Sequence, residues 1–313
     1  MKAAVLESYG SADQFKIKEV PTPDFKEGQI LIRNEASSVN PVDALVRSGS
    51  LKLASGLFGP QIIGSDFSGT VVATKSPKFK IGDQVFGHVS PITGGAYAEY
   101  VAVDDSVAAL KPETISYEEA GSLSLVATTA WQGLVDEGKI EAGDHVLING
   151  CTGGVGSIAV QVAKSWGAIV TGMCSGKNLE TARELGCDVV IDYEKETLPP
   201  TEKYDLIFDA SGKFSFSEVK GHLKDDAYYV TTRPDAKDFG SAVETGIDLL
   251  FRKQMKMFMA KPNAEDLEKI KLLLEDGHLK PLVAQTFPLE QIAQAHHKLE
   301  EGHFVGKVAI KIS

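Results

Sequence analysis

The fold is decided by residues 144–164, which read DHVLINGCTGGVGSIAVQVAK. The apolar run at 146–148 is typical of a strand that is covered on both faces of a parallel sheet. Gly154, Gly156 and Ala159 then match the G-x-G-x-x-G/A pattern, in which the small residues permit a tight turn and close helix packing. The following helix would present free N–H groups and a positive dipole end to phosphates. The stretch therefore predicts a dinucleotide-binding strand–turn–helix, with an ordinary tight turn as the alternative.

Chain length, net charge and the length of apolar runs exclude several classes of protein. A chain of 313 residues suits two domains with separate cores. A formal net charge of -11 argues against a nucleic-acid or anionic-membrane surface, because both require basic patches. No apolar run is long enough to span a bilayer, and the N-terminus becomes polar too soon for a secretory signal. We therefore expect a cytoplasmic protein whose partner is a small molecule.

The pattern of strands and helices changes twice along the chain. Residues 1–114 contain many short strand candidates separated by Gly and Pro, which predicts a partly open β-barrel. Residues 115–260 alternate strands with helices and predict a doubly wound parallel sheet. Residues 261–313 carry two amphipathic helices and a last strand, and we expect them to return to the first domain. A helix is also predicted near residues 246–253.

Local signals predict several helix starts and the state of the cysteines and histidines. Ser116, Asn178 and Asn263 are predicted N-caps. The three cysteines have no metal-ligand spacing, so we interpret them as small buried residues. Neighbouring His296 and His297 would point in different directions from one helix, and we expect both to be solvated rather than to form a metal site.

Several local motifs occur in an order that resembles the medium-chain dehydrogenase/reductase superfamily. They are SVNPVD at 38–43, GSDFSGTV at 64–71, IGDQV at 81–85, GGAYAEY at 94–100, GGVG at 153–156 and GK at 306–307. The closest branch is that of the zinc-independent quinone oxidoreductases and enone reductases. The resemblance implies an α/β protein in which a GroES-like barrel lies beside a Rossmann domain, with the active site in the cleft.

The same resemblance indicates whether the chain has zinc ligands. The zinc-dependent branch has Cys where this chain has Asn40, and a His-Glu pair where this chain has Ser65 and Asp66. The resemblance therefore implies that no metal is used, and that Asp43 and Asp66 are structural carboxylates.

The loop after the second Rossmann strand indicates which dinucleotide is bound. An NAD site usually places a carboxylate there to accept from the ribose hydroxyls. This chain has GMCSGKN at 172–178, where Ser175 can donate a hydrogen bond and Lys177 adds positive charge. Tyr193 resembles the family tyrosine near the 2′-phosphate. We therefore predict NADPH rather than NADH, with a solvated Lys177 as the alternative.

Other cofactor contacts follow from the resemblance or from strand ends. The resemblance implies contacts from Thr128, Gly153, Gly154, Val155 and Lys307. Ser211 and Thr231 are added because ligands bind at the carboxyl ends of parallel strands. Each of these residues could equally be a plain turn or strand-end residue.

The resemblance implies hydride transfer, most simply to a quinone. Asn40 is the candidate polar group near the acceptor, and Tyr97 is the candidate proton donor. Arg47 stands near the place where several relatives carry a basic residue. The alternatives are reduction of the double bond of an enal or enone, and an NADPH-binding protein without turnover. The strand candidate at 255–259 suggests a homodimer, because relatives pair a strand there across a two-fold axis.

Overall fold

A computed structural model of the chain describes residues 1–52, 59–232 and 254–313. The chain divides into two compact units. The first comprises Met1–Thr128, Lys261–Glu275 and Pro281–Ser313, and the second comprises Thr129–Ala260 and Asp276–Lys280. The domain boundary predicted at residue 114 stays a prediction. The helix predicted near residues 246–253 lies outside the described residues.

The strands and helices have the following bounds. The strands are β1 Lys2–Leu6, β2 Phe15–Glu19, β3 Gln29–Val39, β4 Gln61–Ile62, β5 Asp66–Thr74, β6 Gln84–His88, β7 Tyr100–Asp104, β8 Ala108–Leu110, β9 His145–Asn149, β10 Ile169–Cys174, β11 Val189–Asp192, β12 Tyr204–Asp209, β13 Leu223–Thr231, β14 Met255–Met257, β15 Val283–Pro288 and β16 Lys307–Lys311. The helices are α1 Pro41–Ser48, α2 Tyr117–Trp131, α3 Gly154–Ser165, α4 Leu179–Glu184, α5 Phe216–Val219, α6 Ala264–Glu275 and α7 Ile292–Glu301. In the described part of the chain, none of the helices has the length and apolar character needed to cross a membrane.

The first unit is built from two sheets. One has the strand order β2-β1-β4, and the other has the order β15-β16-β3-β5-β6-β8, with β7 paired to β3. All of these pairs are antiparallel except β15 with β16. Alternate residues of β3, such as Ile30 and Ile32, are fully buried in one core with Phe67 of β5 and Val85 of β6. The period of two thus places one face of each strand on the core, as expected for the GroES-like domain.

The second unit contains one parallel sheet of six strands in the order β11-β10-β9-β12-β13-β14. Residues 146–148 of β9 are fully buried at its centre. The chain moves outward in one direction from β9 to β11 and in the other from β12 to β14, so the order reverses beside β9. Ligands bind doubly wound sheets at the carboxyl ends of the strands on either side of such a point.

The predicted helix starts have different outcomes. Ser116 is a cap, since its Oγ accepts from the N–H of Glu119 at 3.2 Å. Asn263 is also a cap, since its Oδ1 accepts from the N–H of Glu265 at 2.9 Å. The prediction for Asn178 was wrong: a 3₁₀ turn at 176–178 precedes α4, so Asn178 lacks the extended backbone of a cap. Its amide instead donates to Thr152 Oγ1 at 3.3 Å.

Candidate active site and cofactor-binding turn

The glycine turn joins β9 to α3 with almost no free space. Gly150 has φ +78° and begins the turn, and Gly153 precedes the first residue of α3. A Cβ on Gly156 would lie 2.0 Å from the carbonyl oxygen of Gly150, so any side chain there would displace the helix from the strand. The first N–H groups of α3 have no partner within the helix, and residues 153–155 are partly exposed. This turn therefore has the shape of a phosphate cradle.

The residues predicted to select the cofactor follow two neighbouring strands. Ser175 is buried directly after β10, and Lys177 is exposed two residues later. Tyr193 follows β11, is about half exposed, and donates its N–H to the carbonyl oxygen of Cys174 at 3.1 Å. Lys213 was missed by sequence reasoning: its Nζ lies 5.9 Å from the centre of the Tyr193 ring. This edge of the sheet therefore has a hydroxyl donor and two lysines with which to meet an anion.

Asp209 organises the loop that carries Ser211. Its buried carboxylate accepts from Asn149 Nδ2 at 2.9 Å, from Ser211 Oγ at 2.9 Å and from three loop N–H groups at 2.8–3.2 Å. Ser211 Oγ also accepts from Asn149 Nδ2 at 2.9 Å, so this hydroxyl is attached to the end of β9. Thr231 is buried and lies opposite Asp209 in the register of β12 and β13. Sequence reasoning missed Asn149 and Asp209. The available signal was that each is a polar residue at the end of an apolar strand.

In the first unit, Asn40, Asp43, Asp66 and Lys307 form a buried polar cluster, which we call the lysine–carboxylate cluster. Asn40 caps α1, and its Nδ2 lies 2.8 Å from Asp66 Oδ2 and 3.2 Å from Asp43 Oδ2. Its Oδ1 accepts from Lys307 Nζ, which also donates to the carbonyl oxygen of Val39 at 3.0 Å. Both ends of the Asn40 amide are therefore engaged by the protein.

Burial shifts the pKa values of Asp43 and Lys307 in this cluster. It raises the pKa of Asp43 to about 6, and the Asp66 carboxylate adds to the rise while Lys307 opposes it. Burial likewise lowers the pKa of Lys307, against the pull of the two carboxylates. Asp43 accepts from Ser65 Oγ at 3.0 Å, and Asp66 accepts from the N–H of Leu125 at 2.7 Å. The two carboxylates thus join separate segments of the unit.

Tyr97 is also part of this buried region. It is fully buried, and its hydroxyl lies 3.1 Å from the carbonyl oxygen of Ser38 and 3.2 Å from Asp43 Oδ2. Burial raises the pKa of Tyr97 well above its ordinary value, and Asp43 adds to this effect. The hydroxyl therefore stays protonated and directed into the protein.

Several buried polar atoms have no hydrogen-bond partner among the residues that the structure describes. Thr128 Oγ1 and His88 Nε2 are two of them, and both side chains are fully buried. His88 lies opposite Asp66 in the register of β5 and β6, and sequence reasoning missed it. Since buried polar groups are normally paired, each is suited to a contact with a bound molecule.

The expectation that His296 is solvated was wrong. Its ring is fully buried, with its centre 4.9 Å from that of Phe15 and 5.9 Å from that of Tyr97. Neither ring nitrogen has a partner within the described ranges. The buried side chains of α7 recur at Ile292, Ala295 and His296, so helical periodicity places His296 on the inner face. Arg47 is also buried, with Nη2 paired to Glu300.

No group of three or more His, Cys, Asp or Glu side chains within residues 1–52, 59–232 and 254–313 is arranged to hold a metal ion. The lysine–carboxylate cluster contains the buried ammonium group of Lys307, which donates to Asn40 Oδ1 and to the carbonyl oxygen of Val39.

Comparison with known proteins agrees with the fold and extends over the whole chain. The family profile described as "Alcohol dehydrogenase GroES-like domain" matches residues 26–113, and that described as "Zinc-binding dehydrogenase" matches residues 185–310. The "NADPH-dependent alkenal/one oxidoreductase, chloroplastic" of Arabidopsis thaliana is 36% identical, over 99% of this chain and 79% of its own. The "Quinone-oxidoreductase homolog, chloroplastic" of Spinacia oleracea is 30% identical, over 96% of this chain and 95% of its own.

A solved structure gives the same result. The quinone oxidoreductase from Coxiella burnetii superposes with a TM-score of 0.88 at 30% identity, covering 100% of this chain and 99% of the other. A glycine turn between a parallel strand and a closely packed helix, a GroES-like sheet and relatives of this identity agree with one another. The chain belongs to the zinc-independent quinone and enone oxidoreductases of the medium-chain dehydrogenase/reductase superfamily.

Proposed function

We propose that this chain transfers hydride from NADPH to a quinone without a metal ion. The observation that carries the proposal is the carboxyl edge of the parallel sheet, where the glycine turn, Ser175, Lys177 and Tyr193 follow three adjacent strands. Relatives named as quinone oxidoreductases align along nearly the whole chain. Reduction of an enal or enone is the second candidate, favoured by the Arabidopsis relative at 36% identity.

NADPH is the cofactor, and the residues present fit it. In our proposal the N–H groups of residues 153–155 bind the pyrophosphate, that of Gly153 by exchanging its bond to the carbonyl oxygen of Gly150. Ser175, Lys177 and Tyr193 bind the 2′-phosphate. The free hydroxyl of Thr128 is assigned to the nicotinamide end. Ser211, Thr231 and Lys307 complete the proposed set. When bound, the reduced nicotinamide supplies the hydride.

The proposed roles of Asn40 and Tyr97 depend on their present hydrogen bonds. Asn40 would meet an acceptor oxygen by exchanging one of its contacts with the carboxylates. Tyr97 would deliver a proton by exchanging its bond to Ser38 or Asp43. Lys307 uses two of its three N–H groups on Val39 and Asn40. In our proposal the protein thus supplies alignment and a nearby positive charge, while the acceptor is polarised by hydrogen bonds.

An assay of NADPH oxidation separates the possible acceptors. Purified protein is tested with a series of benzoquinones and a matched series of short enals and enones. We expect turnover with benzoquinones. Turnover with enals or enones alone would instead indicate a double-bond reductase. NADPH binding without NADPH oxidation by either series would indicate a protein that has lost turnover.

Lys177→Ala should weaken NADPH binding about 10- to 100-fold and leave NADH binding nearly unchanged, because only NADPH carries the 2′-phosphate. Fluorescence titration with both nucleotides measures this. Lys220→Ala is the control, since Lys220 is exposed just before β13, at the opposite edge of the sheet. An equal loss for both nucleotides would contradict the assignment of Lys177.

Gly153→Ala should fold normally but bind NADPH at least about 10-fold more weakly, because its methyl group enters the space assigned to the pyrophosphate. A Cβ on Gly153 meets only the Gly150 carbonyl oxygen, at 3.4 Å, so the substitution fits the free protein. Gly156→Ala is the matched comparison: its Cβ would lie 2.0 Å from the same oxygen, and it should lower thermal stability. Unchanged NADPH affinity in folded Gly153→Ala would place the phosphates elsewhere.

We also propose that two copies associate through β14 in the cytoplasm. This strand is at the edge of the six-stranded sheet. Its last residue, Met257, is 45% exposed, and Met259 just beyond it is 54% exposed. Strand edges need covering, and pairing with a second copy would cover this one. A monomer by light scattering at micromolar concentration would contradict the dimer.

A further inference from the structure

His88 is a fully buried residue at the carboxyl end of β6, and the proposed function assigns it no role. It lies opposite Asp66, the first residue of β5, in an antiparallel register. Side chains that are opposite each other in antiparallel strands lie on the same face of the sheet, with their Cβ atoms about 4.5–5.5 Å apart. The His88 ring is therefore on the same face of the sheet as the Asp66 carboxylate of the lysine–carboxylate cluster.

The contact of His88 Nδ1 fixes the tautomer of the ring. Nδ1 lies 3.2 Å from the carbonyl oxygen of Val89, and a carbonyl oxygen can only accept a hydrogen bond. Nδ1 therefore carries the proton, and Nε2 of the neutral ring presents a lone pair. Burial lowers the pKa of His88 from its ordinary value of 6.5, against the opposing effects of Asp66 and Val89, so the ring is neutral at pH 7.

Asp66 cannot supply a donor to His88 Nε2, because its carboxylate only accepts and is already occupied. Its Oδ1 accepts from the N–H of Leu125 at 2.7 Å, and its Oδ2 accepts from Asn40 Nδ2 at 2.8 Å and from Ser38 Oγ at 2.6 Å. In the described part of the chain, Nε2 has no hydrogen-bond partner. Since buried polar atoms are normally paired, Nε2 is suited to a donor carried by a bound molecule.

The charges near His88 limit the chemistry of that donor. The Asp66 carboxylate would repel an anionic group, and the Lys307 ammonium, which donates to Asn40 in the same cluster, would repel a cationic one. At pH 7 a carboxylic acid is ionised and an amine is protonated. An alcohol hydroxyl is neutral and can donate to the Nε2 lone pair, so it is the group that fits.

We propose that His88 Nε2 is a specificity-determining acceptor that selects quinones carrying an alcohol hydroxyl. The inference rests on the proposed hydride transfer to a quinone and names a subclass of its substrates. The Asn40 amide, which is bonded to Asp66, donates to the quinone carbonyl oxygen, while His88 Nε2 accepts from the hydroxyl. The substrate thus meets one donor and one acceptor of the protein, and His88 takes no part in proton transfer.

Three benzoquinones that differ in one substituent test the proposal with the purified full chain and NADPH. They carry a methyl, a hydroxymethyl or a methoxymethyl group, and only the hydroxymethyl group can donate a hydrogen bond. We expect kcat/KM to be about 10- to 100-fold higher for the hydroxymethyl compound than for the other two, as when a buried acceptor is left unpaired. The methoxymethyl compound controls for the electronic effect of the oxygen atom.

The same assay separates failure of this inference from failure of the proposed function. Turnover of all three quinones with equal kcat/KM would overturn the role of His88 alone and would indicate that water satisfies Nε2. If only enones are reduced, the same three substituents are compared on an enone, and the same ratio is expected. Absence of turnover with every quinone and enone would overturn both proposals.

His88→Phe keeps an aromatic ring but removes Nε2. It should bring kcat/KM for the hydroxymethyl compound down to the value for the methyl compound, and a ratio between substrates cancels any general loss of activity. His145→Phe is the matched control, because His145 is exposed at the start of β9, and it should retain the preference. An unchanged preference in folded His88→Phe would overturn the proposal. Since the unmodified protein gives the ratio by itself, failure of the variant to fold leaves the proposal testable.

Discussion

Lys307→Met should lower the free energy of unfolding by about 2–6 kcal/mol, because two buried oxygen acceptors would lose their donor at a cost of about 1–3 kcal/mol each. Methionine keeps most of the length of the side chain but removes the ammonium group. Asn40 Oδ1 and the carbonyl oxygen of Val39 would lose their donor. Asp43 and Asp66 would lose the positive charge that offsets them.

The pH dependence identifies the cause of this loss. The pKa of Asp43 is already raised from 3.8 to about 6, and it should rise further without Lys307. When folding raises the pKa of a carboxyl group, the free energy of unfolding of the protein decreases as the pH increases from the unfolded pKa to the folded pKa. The stability difference between Lys307→Met and the unmodified protein should therefore grow as the pH increases above 6. Lys311→Met is the matched control, because Lys311 is exposed at the other end of the same strand, β16. Equal stability of the two variants in urea unfolding would contradict the role of Lys307.

His296→Phe should remove a pH-dependent loss of stability that reaches about 5 kcal/mol in strongly acidic solution. Burial lowers the pKa of His296 from 6.5 to about 3, and Arg47 and His297 reinforce the shift. The unfolded chain therefore binds a proton below pH 6.5 that the folded chain refuses until about pH 3. Stability falls across that window as the pH decreases. Phenylalanine preserves the ring contacts with Phe15 and Tyr97 without titrating.

Urea unfolding at a series of pH values measures this effect. The stability of His296→Phe relative to the unmodified protein should rise as the pH decreases from 6.5, whatever constant packing difference the larger ring introduces. His278→Phe is the control, because His278 is exposed. Parallel curves for His296→Phe and the unmodified protein would show that His296 is protonated in the folded state.

Much of the second unit could be predicted from the sequence because its signals are local. Residues 146–164 combine a buried strand, a glycine turn and a helix in one continuous stretch, and the parallel order follows from alternation of strands and helices. The pairing of strands in the first unit could not be predicted in this way. Its contacts join distant segments, as when β3 pairs with both β5 and β16.

The polar interior of the candidate site was also beyond local patterns. Asn40 could be placed before α1, but its bond to Lys307 joins residues 267 positions apart. Asp209 was missed because the partners of its carboxylate come from β9, from β13 and from its own loop. His296 was predictable from helical periodicity, yet its charge-bearing side chain favoured a solvated position. Tertiary contacts decided each of these cases.

The account is tested most directly by measuring NADPH oxidation after exhaustive treatment of the protein with a metal chelator. We predict that the chelated protein binds NADPH, oxidises it with a benzoquinone or a short enone, and is not stimulated by added zinc. Failure to bind NADPH, or turnover that appears only when zinc is restored, would contradict the central claim.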